Sequence, residues 1–147
     1  MQRSIEFRVW DGLRMTSSGI MFNTSTSSLS VPNTNYVLMQ FTGILDAKDK
    51  KIFEGDIHRE EVEYDQGDVR NYYVCTYIKE LACFSFISAE EYKCYVEYQM
   101  PFHQAFEGEK PYTLDVDEKS KYHICGNVFD NPNLLEGDDH SDLDLEE

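Results

Sequence analysis

Hydrophobic and polar positions alternate over much of the chain with the period of two that sends successive side chains to opposite faces of a strand. In residues 4–11, Ile5, Phe7 and Val9 fall on one face, with Glu6 and Arg8 on the other. A half-buried strand is expected there, ended by an Asp11-Gly12 turn from which residues 13–15 pair back as a hairpin. Residues 36–42 are aliphatic, aromatic and β-branched with little polarity, which suits a strand covered on both faces. Gly43 then marks a bend, and Asp46, Lys48, Asp49, Lys50 and Lys51 read as a solvated loop. Ile52 and Phe53 return the chain to the core. Glu54-Gly55-Asp56 reads as a tight turn launching the next strand at Ile57, with Gly55 supplying either a positive φ or a close backbone approach.

The alternation continues downstream. Residues 56–64 form a polar strand whose pattern slips at Glu60-Glu61, as a bulge or an exposed edge would make it. Residues 65–68 are a hairpin turn by composition, and 69–79 and 81–88 are strands. Ser88-Ala89-Glu90-Glu91 matches a capping box for one helical turn. Yet Tyr92, Cys94, Val96, Tyr98 and Met100 alternate with Lys93, Tyr95, Glu97 and Gln99, and a strand is the preferred reading for 92–100. A loop over 101–111, a short edge strand at 112–116 and a last strand at 122–129 follow. Asn131 and Pro132 are placed as N-cap and first residue of a single helical turn through Leu135. Half of residues 16–35 are Ser or Thr, so they read as a long surface loop anchored by Ile20, Met21 and Phe22. About seven strands with little helix imply a β-rich domain, mainly β with minor α, in which a small barrel or two packed antiparallel sheets hides the apolar faces.

Composition sets the scale. With 147 residues, 41% hydrophobic and 14% aromatic, the chain suits one domain, placed at 1–135. The formal charge is -15, and the seven acids of 136–147, where there is no Lys or Arg, account for -7 of it and leave -8 for the rest. That tail is expected to be disordered and self-repelling. Such acidity opposes direct nucleic-acid binding, which depends on neutralising phosphates. It admits a basic partner, including one that an acidic DNA mimic would occupy. The N-terminal residues lack a signal-peptide pattern, and no run approaches the roughly 20 apolar residues of a membrane span. The expected compartment is the cytoplasm, with no membrane contact. Cys75, Cys83, Cys94 and Cys125 form no CxxC pair and lie in apolar sequence, so buried free thiols are expected rather than disulfides or a zinc site.

Three stretches resemble the YopX family of phage and prophage proteins. They are Phe7-Arg8-Val9-Trp10-Asp11 with Met15; Leu38-Met39-Gln40-Phe41-Thr42-Gly43 continuing through Asp46 and Ile52 to Glu54-Gly55-Asp56-Ile57; and Ile124 to Pro132 with Leu134 and Leu135. The middle one is the most specific. Trp10, Asp11, Gln40, Thr42, Gly43, Glu54, Gly55, Asp56, Gly126, Asn127, Asn131 and Pro132 are the motif positions, read as structural. Lys48-Asp49 stands where the family usually places Asn-Gly, and the acidic tail and the Ser/Thr-rich segment have no family counterpart. The resemblance implies a β-rich fold with room for a small SH3-like barrel and a bacterial host cell, and it transfers no catalytic residue.

Candidate chemistry is sparse. Glu54, Asp56 and His58 could set two carboxylates and an imidazole on one strand face for acid–base work. The competing reading is a turn whose carboxylates accept backbone N–H groups. His123 and Cys125 share a face as two possible metal ligands, or as a core histidine beside a buried thiol. Lys48, Lys50 and Lys51 near Phe41 and Phe53 suggest a single-strand platform, but Asp46 and Asp49 interrupt them. Tyr72, Tyr73, Tyr95 and Tyr98 are core positions or interface anchors. No nucleophile elbow, phosphate loop or HExxH occurs. The expectation is a non-enzymatic accessory protein without cofactor or metal, binding another protein or itself, with a homo-oligomer among the outcomes. An acidic DNA-mimic inhibitor and an enzyme using Glu54, Asp56 and His58 are the alternatives.

Overall fold

The computed structural model describes residues 5–17, 36–65, 67–107, 111, 113–114 and 121–136, and the backbone alone of 21–23 and 28–30. The strands are β1 (Phe7–Trp10), β2 (Met15–Thr16), β3 (Met21–Asn23), β4 (Ser28–Ser30), β5 (Val37–Leu45), β6 (Lys51–Phe53), β7 (Asp56–Tyr64), β8 (Gly67–Ile78), β9 (Cys83–Ser88) and β10 (Ile124–Asn127). Helical turns α1 (Ala89–Tyr92), a π-helical turn Lys93–Glu97, α2 (Phe102–Ala105) and a 3₁₀ turn Pro132–Leu135 complete the described elements. The protein is mainly β, built on two packed antiparallel sheets of order β2-β1-β5-β6 and β10-β7-β8-β9, with β3 and β4 as a separate ribbon. One sheet curls into half a barrel.

Val9, Met39, Phe41 and Ile52 are the buried apolar residues of the first sheet. In the second, Ile57 and Val74 pack with Leu135, while Ile78 and Ile87 pack with Ala105 and Phe106. The helical segment therefore roofs one end of the second sheet and supplies the apolar cover that an antiparallel sheet needs on one face.

Several local expectations change. Gly43 does not end its strand: β5 runs on to Leu45, with Phe41 opposite Phe53 and Leu45 opposite Lys51. Four steps along β5 thus face two along β6, a bulge that Gly43 permits with φ 90° and that Thr42 stabilises by accepting the Ile44 N–H on Oγ1 at 3.1 Å. Asp46 is 2% exposed rather than solvated, because its Oδ1 accepts the N–H groups of Lys48 and Lys50, both at 2.8 Å. The segment 16–35 holds a short hairpin, Met21 opposite Ser30 and Asn23 opposite Ser28, where composition suggested only loop. Residues 18–20, 24–27 and 31–35 lie outside the described residues, as does the acidic tail after Glu136. No bulge interrupts β7 at Glu60-Glu61, where the register with β8 is continuous from Ile57–Val74 to Tyr64–Gly67.

The strand expected at 92–100 is replaced by helix as far as Glu97. Ser88 Oγ accepts the Glu91 N–H at 3.1 Å while Glu91 Oε1 accepts the Ser88 N–H at 2.9 Å, a complete capping box. The chain then widens into a π turn in which the Tyr98 N–H reaches Lys93 O. Tyr95 belongs to the nominally polar set of the alternation, but its ring packs on Phe106 at 5.3 Å. Tyr92, Cys94 and Tyr95 all join the Ile78–Phe106 cluster, which a strand could not bring to one side. The expected loop over 101–111 contains α2, whose Ala105 is buried and whose following Phe106 is 2% exposed. Of the edge strand expected at 112–116 only Thr113 and Leu114 are among the described residues, and there Thr113 forms a bridge with Ser85.

Candidate functional site

The two sheets meet at Glu54-Gly55-Asp56. Toward the first sheet, the Glu54 N–H donates to Gln40 O at 3.0 Å and the Gln40 N–H donates to Glu54 Oε1 at 3.1 Å. Toward the second, the Gly55 N–H donates to Cys75 O at 2.8 Å, and Gly55 O accepts the Val128 N–H at 2.9 Å. Gly55 has φ 88°, and a Cβ there would sit 3.2 Å from Met39 Sδ, so both reasons for a glycine apply at this position.

Arg8 fastens this joint. Its Nη2 donates to Asp56 Oδ1 at 2.8 Å and to Glu54 O at 3.1 Å, and its guanidinium lies 4.8 Å over the Phe53 ring. Asp56 Oδ2 accepts the Phe53 N–H at 2.8 Å, which closes the turn. Burial pushes the Asp56 carboxyl upward in pKa, and the Arg8 charge with the Phe53 N–H pulls against that. Burial also raises the Glu54 carboxyl, opposed by the Gln40 N–H and by Arg8. Arg8 Nε is buried without an acceptor among the described residues, a cost that the joint carries.

His58 is engaged elsewhere. Its Nδ1 accepts the His123 N–H at 2.8 Å, and its ring sits among Tyr73, Phe86 and Tyr122. The side chains of Glu54, Asp56 and His58 are therefore held by different partners, and no hydrogen bond joins any two of them. Burial holds the imidazole below its ordinary pKa of 6.5, and the His123 N–H occupies the lone pair that a second proton would need. The unfolded chain takes up that proton near pH 6.5 while the folded chain resists it. Stability from this group should thus fall as pH drops through 6.5 and level off below the lowered folded value. The difference between urea midpoints at about pH 7.5 and about pH 5 should shrink in His58→Asn, whose Oδ1 keeps the acceptor. An unchanged difference would remove His58 as a cause.

The last motif is a second local construction. Asn131 Oδ1 accepts the Asn127 N–H at 3.2 Å, and Asn127 Oδ1 accepts the N–H groups of Phe129 and Asp130, both at 2.9 Å. The turn placed at 132–135 forms as 3₁₀ with Pro132 at its start, but the Asn131 side chain does not cap it, being turned back onto Asn127. Gly126 lies directly under Asn131 Oδ1, where a Cβ would come within 2.3 Å. Phe129 stacks on Trp10, centroids 5.2 Å apart, and Asp11 Oδ1 accepts the Leu13 and Arg14 N–H groups to close the β1–β2 turn. The described motif positions thus serve turns, a bulge and the junction of the sheets.

Other candidates separate. His123, just before β10, and Cys125 on β10 are exposed rather than in the core, and no group of three metal-ligating side chains exists among the described residues. Cys75 is buried, Cys83 and Cys94 are half-buried, and all four thiols are free. Lys51 pairs with Glu6 at 2.7 Å and lies 5.8 Å from the Phe41 ring. Tyr72 and Tyr95 pack against the second-sheet clusters, the Tyr73 hydroxyl bonds Glu60, and Tyr98 is exposed.

A cleft of about 560 Å³ lies beside the joint, bounded by Gln40, Thr42, Glu54, Tyr77, Phe84 and Thr113. A second depression of about 640 Å³ shares Glu54 and Tyr77 and extends to Tyr95 and Met100. Arg8 as the clamp and Tyr77 as a cleft wall carry no local signal in the sequence: Arg8 is a polar position of an alternating strand whose partner lies 48 residues away.

No match is found among curated proteins. Solved structures that share the fold include protein EF1440 from Enterococcus faecalis, 21% identical with a TM-score of 0.54 over 92% of this chain and 100% of that one, and yopX from Bacillus subtilis, 18% identical with a TM-score of 0.52 over 92% and 98%. The family profile described as YopX protein matches residues 13–136, and the chain belongs to the YopX family.

Proposed function

We propose that the protein is a phage- or prophage-encoded accessory factor that acts by binding a basic protein partner rather than by catalysis. The observation that carries this reading is the distal β7–β8 ribbon. β10 leaves β7 after His58 and β9 leaves β8 at Tyr73, yet the ribbon continues from Glu60–Asn71 to Tyr64–Gly67 with no further strand beside it among the described residues. Glu60, Glu61, Glu63, Asp65 and Asp68 are exposed on it, against Arg70 as its one exposed cation among the described residues, and Tyr64 is 58% exposed at its tip. Isolated two-stranded ribbons are marginal in water, and one formed with so little cover suits a docking element. Its acids blunt edge pairing between copies and steer a cationic surface toward it.

The same acids favour a second reading, a DNA-mimic inhibitor of a basic host or phage factor. Affinity capture from host extract with the wild-type chain and with a Glu60→Lys, Glu61→Lys, Glu63→Lys variant tests both. The expected result is a captured partner that the variant and raised salt release. Competition by duplex DNA for that partner would select the mimic. A solitary monomer by light scattering with no captured partner, or a metal-dependent turnover, would overturn the binding role.

A further inference from the structure

We propose that the cleft between the sheets seats an extended basic segment of the partner protein, one arginine of which lies against the Tyr77 ring with its guanidinium on Glu54 Oε2. This rests on the binding reading above and gives that partner a place and a chemistry. Glu54 Oε1 is engaged by the Gln40 N–H, and no hydrogen bond reaches Oε2 among the described residues. The nearby cation acts on it only through space: the Arg8 Nη2 hydrogen bonds go to the Glu54 carbonyl and the Asp56 carboxylate, and its charge offsets part of the burial. Among the described residues, Glu54 is also the only charged side chain lining the first cleft. A half-buried carboxylate without a directly bonded counter-ion is stabilised by a ligand that supplies one, and here burial outweighs the distant Arg8 charge and pushes the carboxyl upward in pKa.

The surroundings narrow the ligand. Tyr77 is 43% exposed and its ring is fixed edge-on against Phe84 at 5.3 Å, which presents an aromatic wall to a planar guanidinium. Glu54 and Tyr77 stand at the boundary of the two depressions, so together they offer a trough longer than one side chain. Gln40, Thr42 and Thr113 provide polar groups for a peptide backbone and Phe84 an apolar floor, the mixture that extended-peptide sites use. In the second depression Glu80 already accepts the Tyr95 hydroxyl and Lys79 repels a cation, which places the arginine at the junction. A chain of net charge -15 favours the approach of such a segment.

The test uses a short labelled peptide with one central arginine flanked by valines, and its citrulline counterpart, titrated into the full chain. The wild type should bind the arginine peptide about tenfold more tightly or better. Glu54→Gln, which retains the acceptor for the Gln40 N–H, should erase that preference without lowering the melting temperature, and Tyr77→Ala should weaken it. Equal affinity for the two peptides, or a preference that survives Glu54→Gln, would overturn the proposal. A concentration-dependent dimer lost in Glu54→Gln would put a second copy in the cleft and overturn the partner segment. Partner capture that depends on the ribbon acids but ignores Glu54→Gln would sink the cleft while leaving the binding role standing; peptide discrimination without any captured partner would do the reverse.

Discussion

Arg8→Met should cost about 3–5 kcal/mol in urea unfolding, because it leaves the Asp56 carboxylate buried without its counter-ion. The side chains of Arg8 and Asp56 are 15% and 4% exposed, so water can replace little of the lost contact. Methionine keeps an apolar stem over Phe53, which confines the change to the charge and its two hydrogen bonds. Adding Asp56→Asn should recover a large part of the loss, since the amide oxygen can still accept the Phe53 N–H and no buried charge remains. A single variant within about 1 kcal/mol of wild type would mean that the pair behaves as an exposed one.

Gly126→Ala should rank next, at about 2–4 kcal/mol from overpacking together with a lost hydrogen bond. The new methyl would stand 2.3 Å from Asn131 Oδ1, and the side chain that must move is the acceptor of the Asn127 N–H. Asn131→Ala alone should cost about 1 kcal/mol, the usual worth of one such bond. In the double variant the collision with the amide is removed and only a tight 3.2 Å approach to the Cβ of residue 131 remains, so its cost should exceed that of Asn131→Ala by well under the single Gly126→Ala loss. Additive losses would show that Gly126 is needed for some other reason.

What could be read from the sequence was the local chemistry. The unit from Gln40 to Ile57 was legible as strand, turn and strand because Gly55 and the flanking acids carry their own turn preferences. The two hairpins from Asp56 to Ser88 follow from alternation and from Gly67, which pairs with Tyr64. What pairs across the chain was not legible. Arg8 looks like any outward strand residue until Asp56 is placed beside it, and Asp46 looks solvated until the Ile124 N–H reaches its Oδ2 at 3.4 Å. At 92–100 two local signals conflicted, and the choice lay with Phe106 and Ile78, whose packing rewards the helical one. For the candidate site, the residue types were visible but their commitments were not, since the groups that hold Glu54 and His58 are backbone amides of Gln40 and His123, 14 and 65 residues away.

The position of the joint also bears on the order of assembly. β7, β8 and β9 form a meander of neighbouring strands, which needs only short loops to close. The clamp between Arg8 and Asp56 closes 48 residues, and the joint can be completed only when both sheets are present. Contacts of such separation carry the larger loop-closure entropy and are associated with slow steps. Docking of the first sheet onto a meander that is already formed is then the late event in folding, and a nascent chain would keep its first strands without their final partner until Asp56 and Cys75 had been synthesised.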